Sequence, residues 1–335
     1  MVILKKFEQR FFMKNTKSFD VVSLGEILID FTFQGYNEDG QKLFAQNAGG
    51  APANVLVAVQ RLGGKTAFIG KVGNDMHGKF LLDVLNAENI NTDSIIVDDR
   101  YFTTLAFVSI NKNGERSFSF ARKPGADTKL SKSEIKTEIL NSAKIFHVGS
   151  LSLTNEPSRE ATFFAVKKAK EQGCTISYDP NYRAALWKSE NIAKKHMRSL
   201  ISYVEVMKIS DEETELLTGY CDEKKAAKAL YDKGVKVIAV TLGKSGAYVY
   251  CKNGGAYVKA KPCKVVDTTG AGDSFWGGFL HKISKSEKDI ENLTLDELAT
   301  FAEFSNTVAS LCVGKKGAIP AIPHLNEVEK VCKNL

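Results

Sequence analysis

The chain has 335 residues, 43% hydrophobic and 10% aromatic, enough to bury a large core. Its net charge of +7, from 46 basic and 39 acidic residues, is spread over helical patterns such as Lys167-Lys168-Ala169-Lys170. No aromatic-basic patch accompanies it, which excludes nucleic acid as the expected partner and suits small anionic substrates. Six scattered cysteines without a CxxC, five histidines without ligand spacing and the lack of an apolar run of about 18 residues exclude a disulfide framework, a dedicated zinc site and a membrane helix. The expectation is a cytoplasmic protein with reduced thiols.

Met1 to Asp20 mixes Phe7 and Phe11-Phe12 with Lys5-Lys6 and Arg10, too interrupted for a signal h-region. Residues 1–18 read as a poorly ordered extension, with Met13 as a natural alternative start. One α/β domain is expected over 19–335.

In chain order, Val21 to Leu24 opens a buried strand and Ile27 to Phe33 continues extended. Gly49 to Leu62 reads as a helix, with Pro52 suited to its first turn. Ala67 to Gly70 is a short strand, and Met76 to Glu88 a helix. Thr103 to Ser109 and Ser117 to Phe120 flank Asn111-Lys112-Asn113-Gly114, a hairpin signal. From about Lys144, strands at Ile145–Val148, Thr175–Tyr178, Val206–Ile209 and Val237–Thr241 alternate with helical segments. That is the pattern of a doubly wound, mostly parallel sheet flanked by helices. The extended pieces at about 31–46 and 100–122 fit that sheet poorly and predict a small separate β-sheet. Leu295 to Leu311 reads as a further helix.

The most informative stretch is Asp267-Thr268-Thr269-Gly270-Ala271-Gly272-Asp273-Ser274-Phe275. Cys263 to Val266 before it alternates like a strand, and Ser274 to Ile283 after it reads as an apolar helix. A glycine turn at a helix N-terminus exposes backbone N–H groups and makes an anion site. A carboxylate inside that site suits a reaction in which Asp273 takes a proton from a hydroxyl while the amides of Gly270, Ala271 and Gly272 hold a phosphoryl group. The turn is no dinucleotide fingerprint, because Phe275 stands where the third glycine belongs. Gly243-Lys244-Ser245 is no P-loop, because the earlier glycine would fall at Ile238.

This stretch, together with Gly49-Gly50-Ala51-Pro52-Ala53-Asn54, Gly63-Gly64, Gly70, Gly73-Asn74-Asp75 and Gly78, resembles the two signatures of the ribokinase/PfkB family of sugar and nucleoside kinases. Arg122-Lys123-Pro124-Gly125-Ala126-Asp127 and Asp179-Pro180-Asn181-Tyr182-Arg183 resemble its fructokinase branch. The resemblance runs from about Val21 to Pro323. It implies a ribokinase-like α/β fold, with the small sheet as a lid over the sugar. It implies an ATP-dependent sugar kinase, foremost one making fructose 6-phosphate from D-fructose. A 2-keto-3-deoxygluconate kinase, an aminoimidazole riboside kinase and a non-catalytic sugar-binding regulator are the alternatives. Asp273 would be the base. Asp30, Gly49, Gly50, Asn54, Arg122, Asn181 and Arg183 would hold the sugar. Lys208, Ser210, Glu213, Thr241, Gly243, Gly246, Gly272 and Asn306 would line the nucleotide side, and Gly314 to Gly317 would close the adenine pocket. Glu213 would reach Mg²⁺ through water, and Asp267 and Thr269 match a site for a monovalent cation, usually K⁺. The apolar face of the lid, with Phe31, Phe33, Phe102, Phe107 and Phe118, implies a homodimer.

Overall fold

The computed structural model describes residues 17–110 and 116–333, and their side chains except those of 109–110, 116–118 and 333. Most of the expected 1–18 extension, the Asn111–Gly114 turn and the side chain of Phe118 lie outside the described residues. The strands are β1 (Phe19–Leu24), β2 (Leu28–Tyr36), β3 (Lys42–Gly49), β4 (Thr66–Gly73), β5 (Asn91–Asp98), β6 (Leu105–Ile110), β7 (Arg116–Ala121), β8 (Ala143–Val148), β9 (Thr175–Tyr178), β10 (Val206–Ser210), β11 (Val237–Thr241), β12 (Ala247–Cys251) and β13 (Gly254–Val258). The large sheet runs β13-β12-β11-β10-β9-β8-β1-β4-β5, parallel from β5 through to β11 and antiparallel at β12 and β13. The small sheet runs β3-β2-β6-β7.

Strand order reverses beside β1. The chain moves from β1 to β4 on one side and returns to β8 on the other, which opens a crevice at the carboxyl ends of the strands. Ligands bind at such switch points in open α/β sheets. The loops after β1, β9, β10 and β11 all open there.

Two helices bring the paired signatures together. Helix α1 (Ala51–Arg61) follows β3, α2 (Met76–Ala87) follows β4, and α3 (Thr137–Asn141) leads into β8. Next come α4 (Ser158–Glu171), α5 (Glu190–Leu200), α6 (Asp211–Thr218), α7 (Glu223–Asp232), α8 (Ala271–Lys285), α9 (Leu295–Val313) and α10 (Leu325–Lys333). At the crossing of α1 and α8, a Cβ on Gly277 would meet Val55 O at 2.9 Å and press into the Ala58 methyl. Glycine therefore lets the two backbones approach. Phe275, Trp276 and Phe279 fill the surrounding core, and Trp276 Nε1 donates to Ser177 Oγ at 3.0 Å. An indole buried with its N–H satisfied fixes the rotation of α8.

Three features differ from the sequence expectation. Cys263–Val266 forms no strand. Val265 and Val266 are 60% and 48% exposed, and Val266 N and Asp267 N both donate to the single carbonyl of Val313 at the end of α9. Alternation here marks an exposed coil. Gly49 ends β3 instead of opening α1, which starts at Ala51. The edge strand β5 and the β12–β13 hairpin complete the large sheet. Asn253-Gly254 was a legible hairpin signal for the latter.

Candidate active site

The N-cap of α8 is Gly270, with φ +76°, and Asp273 lies in the first turn. Among the described residues, no backbone carbonyl accepts from the amides of Gly272 and Asp273, whereas Ala271 N, expected to be bare, donates to Thr268 O at 3.3 Å and Ser274 N to Gly270 O at 2.8 Å. A Cβ on Gly272 would stand 3.0 Å from Lys208 Nζ. Two bare amides at a helix N-terminus, with an ammonium above them and no side chain between, fit a phosphoryl group.

Asp273 is only 8% exposed. Its Oδ2 accepts from Asn54 Nδ2 at 2.8 Å and its Oδ1 from Asn181 Nδ2 at 3.3 Å. Burial pushes its carboxyl above the usual aspartate range, opposed by the Asn54 hydrogen bond and by the charges of Lys208 and Arg183. A carboxylate desolvated in this way is a better base than a hydrated one. Asn54 Oδ1 is buried without a partner, and a buried amide carbonyl of this kind is a ready acceptor for a substrate hydroxyl.

The turn before Asn54 depends on Gly50. Its φ is +111°, and a Cβ there would lie 2.5 Å from Glu26 O. Only glycine takes that conformation without strain. Gly49 lacks a Cβ where one would overlap Asp30 Oδ2. Asp30 therefore lies against the turn, with a carboxyl pushed up to about 6 by burial, eased by Arg183 and raised further by Asp273. Asn181 has φ +46° at the loop after β9, and the neighbouring Arg183 is exposed, with Nη1 donating to Tyr182 O at 3.0 Å. Asp30, Gly49, Gly50, Asn54, Asn181, Arg183 and Asp273 thus gather around one opening.

Arg122 differs from the expectation of a sugar contact. It is buried, with Nε and Nη2 on Asp127 at 2.8 and 2.6 Å, Nη2 on Leu151 O at 2.9 Å and Nη1 on Thr154 Oγ1 at 2.9 Å. These bonds leave it one free Nη1 hydrogen, so its placement is that of a brace.

On the other side of Asp273, Lys208 is buried with Nζ on Asp179 Oδ2 at 2.9 Å. Glu213 accepts from Ser210 N at 2.9 Å and from Tyr182 N at 2.7 Å, which ties the loop after β9 to the start of α6. Burial raises its pKa, with Lys208 opposing. Thr241 ends β11, followed by Gly243 and Gly246 in a tight turn, at φ +53° and +102°. Asn306 donates both amide hydrogens, to Val258 O at 3.1 Å and Lys259 O at 3.0 Å, and so joins α9 to the end of β13. Asp267 accepts from Thr269 N, Thr269 Oγ1 and Gly317 N at 2.9, 2.7 and 3.0 Å. It thereby holds the turn ahead of α8 against the segment after α9. No cluster of three or more His, Cys, Asp or Glu side chains suited to a metal occurs among the described residues.

A family model described as pfkB family carbohydrate kinase matches residues 18–325. The chain belongs to the pfkB family of carbohydrate kinases. Fructokinase-2 of Solanum lycopersicum is 42% identical over 316 residues, covering 93% of this chain and 96% of that protein. The fructokinase of Xylella fastidiosa with bound ATP superposes with a TM-score of 0.86 at 32% identity, covering 94% of this chain and 98% of that one. The Vibrio cholerae O395 fructokinase with fructose, ADP and calcium superposes with a TM-score of 0.82 at 34% identity, covering 92% and 98%. This pfkB-family chain therefore has the expected ribokinase-like fold, and its small sheet stands where a lid was expected.

Two buried acids of this carbohydrate kinase were missed as site residues. Asp179 was read only as part of a motif, although a charge at the carboxyl end of an apolar strand of a doubly wound sheet is itself a signal. Glu26 accepts from Ala51 N at 3.3 Å and supports the Gly49-Gly50 turn from below. Burial raises its pKa to about 7.

Proposed function

We propose that the chain is an ATP-dependent fructokinase, transferring the γ-phosphoryl group of ATP to D-fructose to give fructose 6-phosphate. The observation that carries this reading is Asp273, a buried carboxylate at the bare N-terminus of α8, held by amides from both the sugar-side turn and the β9 loop. The names of the relatives support the choice of fructose.

In this mechanism Asp30 and Asn54 accept from sugar hydroxyls and orient the acceptor toward Asp273. Asp273 takes the hydroxyl proton as the new O–P bond forms. The bare amides of Gly272 and Asp273, with that of Gly270 in the same turn, and the Lys208 ammonium stabilise charge on the phosphoryl oxygens, the dominant requirement of such a transfer. Bound Mg²⁺ would neutralise phosphate charge, reached through water from Glu213. A monovalent cation beside Asp267 and Thr269 would steady the same turn. Ser210, Thr241, Gly243, Gly246 and Asn306 would frame the nucleotide. Small-molecule sugar and ATP are the proposed partners.

Coupled measurement of ADP release tests the reading. A site built around Asp30 disfavours a substrate carboxylate, so kcat/KM for fructose is expected to exceed that for 2-keto-3-deoxygluconate by at least about tenfold, roughly 1.4 kcal/mol. A reversed ratio overturns the choice of sugar. Saturable sugar binding with no ADP formed from any sugar would overturn the kinase reading.

We also propose a homodimer joined through the lids, because Tyr36 is 62% and Phe102 53% exposed beside Leu43, Phe44 and Phe107, and such surfaces mark interfaces. Light scattering at micromolar concentration is expected to give twice the chain mass, and a monomer refutes it. No helix among the described residues is long and apolar enough to cross a membrane. The cytoplasmic placement is proposed because all six cysteines are free.

A further inference from the structure

Lys208 lies on the inner strand β10 with its side chain buried, facing charged groups from three other elements. Asp179 at the end of β9 pairs with it directly, and Glu213 of α6 and Asp273 of α8 act on it through space. His147 of β8 also faces it. Burial, followed by the Lys208 charge, holds that imidazole down at about 3 and so neutral. The Lys208 ammonium stands 3.0 Å from where a Gly272 Cβ would be, above the amides that open α8. Asp179 is buried as well. One of its oxygens accepts from Lys208, and the other, Oδ1, has no partner. Its backbone N–H donates to Val148 O at 3.2 Å, which continues the sheet pairing and fixes where the carboxylate begins.

A lysine on a four-carbon stem is flexible, and its charge acts as a point. Stabilising a phosphoryl group in transit requires that point to be fixed before the reaction. Among the described residues, Asp179 is the group that pairs with the ammonium directly, at 2.9 Å.

We propose that Asp179 is a positioning residue that fixes the Lys208 ammonium over the Gly270–Gly272 turn, where it neutralises the phosphoryl group during transfer. The proposal rests on the kinase reading of the same site. The bond from phosphorus to the departing ADP oxygen breaks, the bond to the sugar oxygen forms, and the proton passes to Asp273. Lys208 keeps its own protons throughout. Burial alone would lower the lysine's pKa, and Asp179 foremost, then Glu213 and Asp273, hold it above the usual value.

The test is the pH–rate profile of the full chain and of Asp179→Asn and Asp179→Glu, with fructose and ATP, after circular dichroism confirms folding. Asp179→Asn is expected to lower kcat by about 10²-fold, the scale of a misplaced stabilising group. KM for fructose should change less than about threefold. The profile should also gain a new loss of activity toward alkaline pH, because Lys208 without its carboxylate gives up its proton earlier. Asp179→Glu should restore the alkaline side even where kcat is only partly recovered. A purely structural role would lower the folded fraction without adding that limb. An Asp179→Asn profile of wild-type shape and height overturns the proposal, as does an altered fructose KM with kcat intact. If Asp179→Asn does not fold, the Asp179→Glu profile decides, since a wild-type kcat there shows that the ammonium need not be held in one place. A wild-type protein that phosphorylates no sugar would instead defeat the kinase reading itself.

Discussion

At the mouth of the large sheet, Asp273, Asp179, Glu213 and Lys208 are buried, and each is tied to a partner from another element. On and beside the small sheet, Tyr36, Phe44, Phe102 and Phe107 are exposed, and their rings meet mainly other rings, such as Phe33 with Tyr36 and Phe44 with Phe107. Buried, mutually paired charges hold a fixed geometry before any ligand arrives. A half-wet aromatic surface tolerates displacement and can be covered by a sugar, a second subunit or both. On the proposed mechanism, the chemistry falls to the buried, paired region and substrate retention to the aromatic one.

The sharpest way to break this division is Asp273→Asn. The variant keeps the shape of the side chain and can still meet Asn54 or Asn181, but it cannot take a proton. An expected fall in kcat of about 10²–10⁴-fold, with sugar binding largely kept, matches the range for general bases. Steady-state kinetics alongside fructose binding by calorimetry check it. A variant retaining more than a tenth of wild-type kcat would remove Asp273 from the chemistry.

A smaller effect is expected at the foot of the small sheet. Asp127 accepts from Thr104 Oγ1 at 2.5 Å, just before β6, and from Arg122 just after β7. One carboxylate thus holds both ends of the β6–β7 hairpin. Asp127→Asn weakens charge-assisted bonds worth about 1.5–3 kcal/mol. Only part of that reaches the substrate, so KM for fructose is expected to rise about 3–10-fold with kcat nearly unchanged. A fall in kcat comparable to that of Asp273→Asn would show that the lid foot belongs to the chemical machinery and would dissolve the comparison.

The two regions were not equally legible in the sequence. The large sheet announced itself through short apolar strands alternating with helical periodicity, and its turns through glycines that only one backbone conformation explains, as at Gly50 and Gly270. The anion turn was readable because the chemistry demands both bare amides and a carboxylate within four residues. What the sequence hid were relations between distant residues. Nothing local shows that Asp179 pairs with Lys208, since sheet order brings β9 and β10 side by side. Arg122 was placed on the sugar by the family resemblance, yet Asp127, Leu151 and Thr154 take all but one of its donors. Local pattern also misled at Cys263–Val266, where alternating residues lie in exposed coil.

Asp30 joins the two regions, because it belongs to β2 of the small sheet yet lies against the Gly49 turn and within reach of the field of Asp273. Its carboxyl is raised from 3.8 to about 6, chiefly by burial. A carboxyl that titrates higher in the folded chain than in the unfolded one favours the fold below pH 4. That advantage fades between pH 4 and 6, and above pH 6 the ionised group is a constant penalty. Asp30→Asn removes the penalty while also removing the proposed acceptor for sugar hydroxyls. The variant is therefore expected to gain stability relative to the parent as pH rises from 4 to 6 and then hold a steady gain of about 4 °C in Tm. Over the same range the parent's KM for fructose should fall as Asp30 ionises, while the variant's KM stays high and flat. Thermal melts and KM values across pH 4–8 check both. A Tm difference independent of pH would mean that Asp30 is not desolvated in the folded chain, and its role as the link between lid and centre would fail with it.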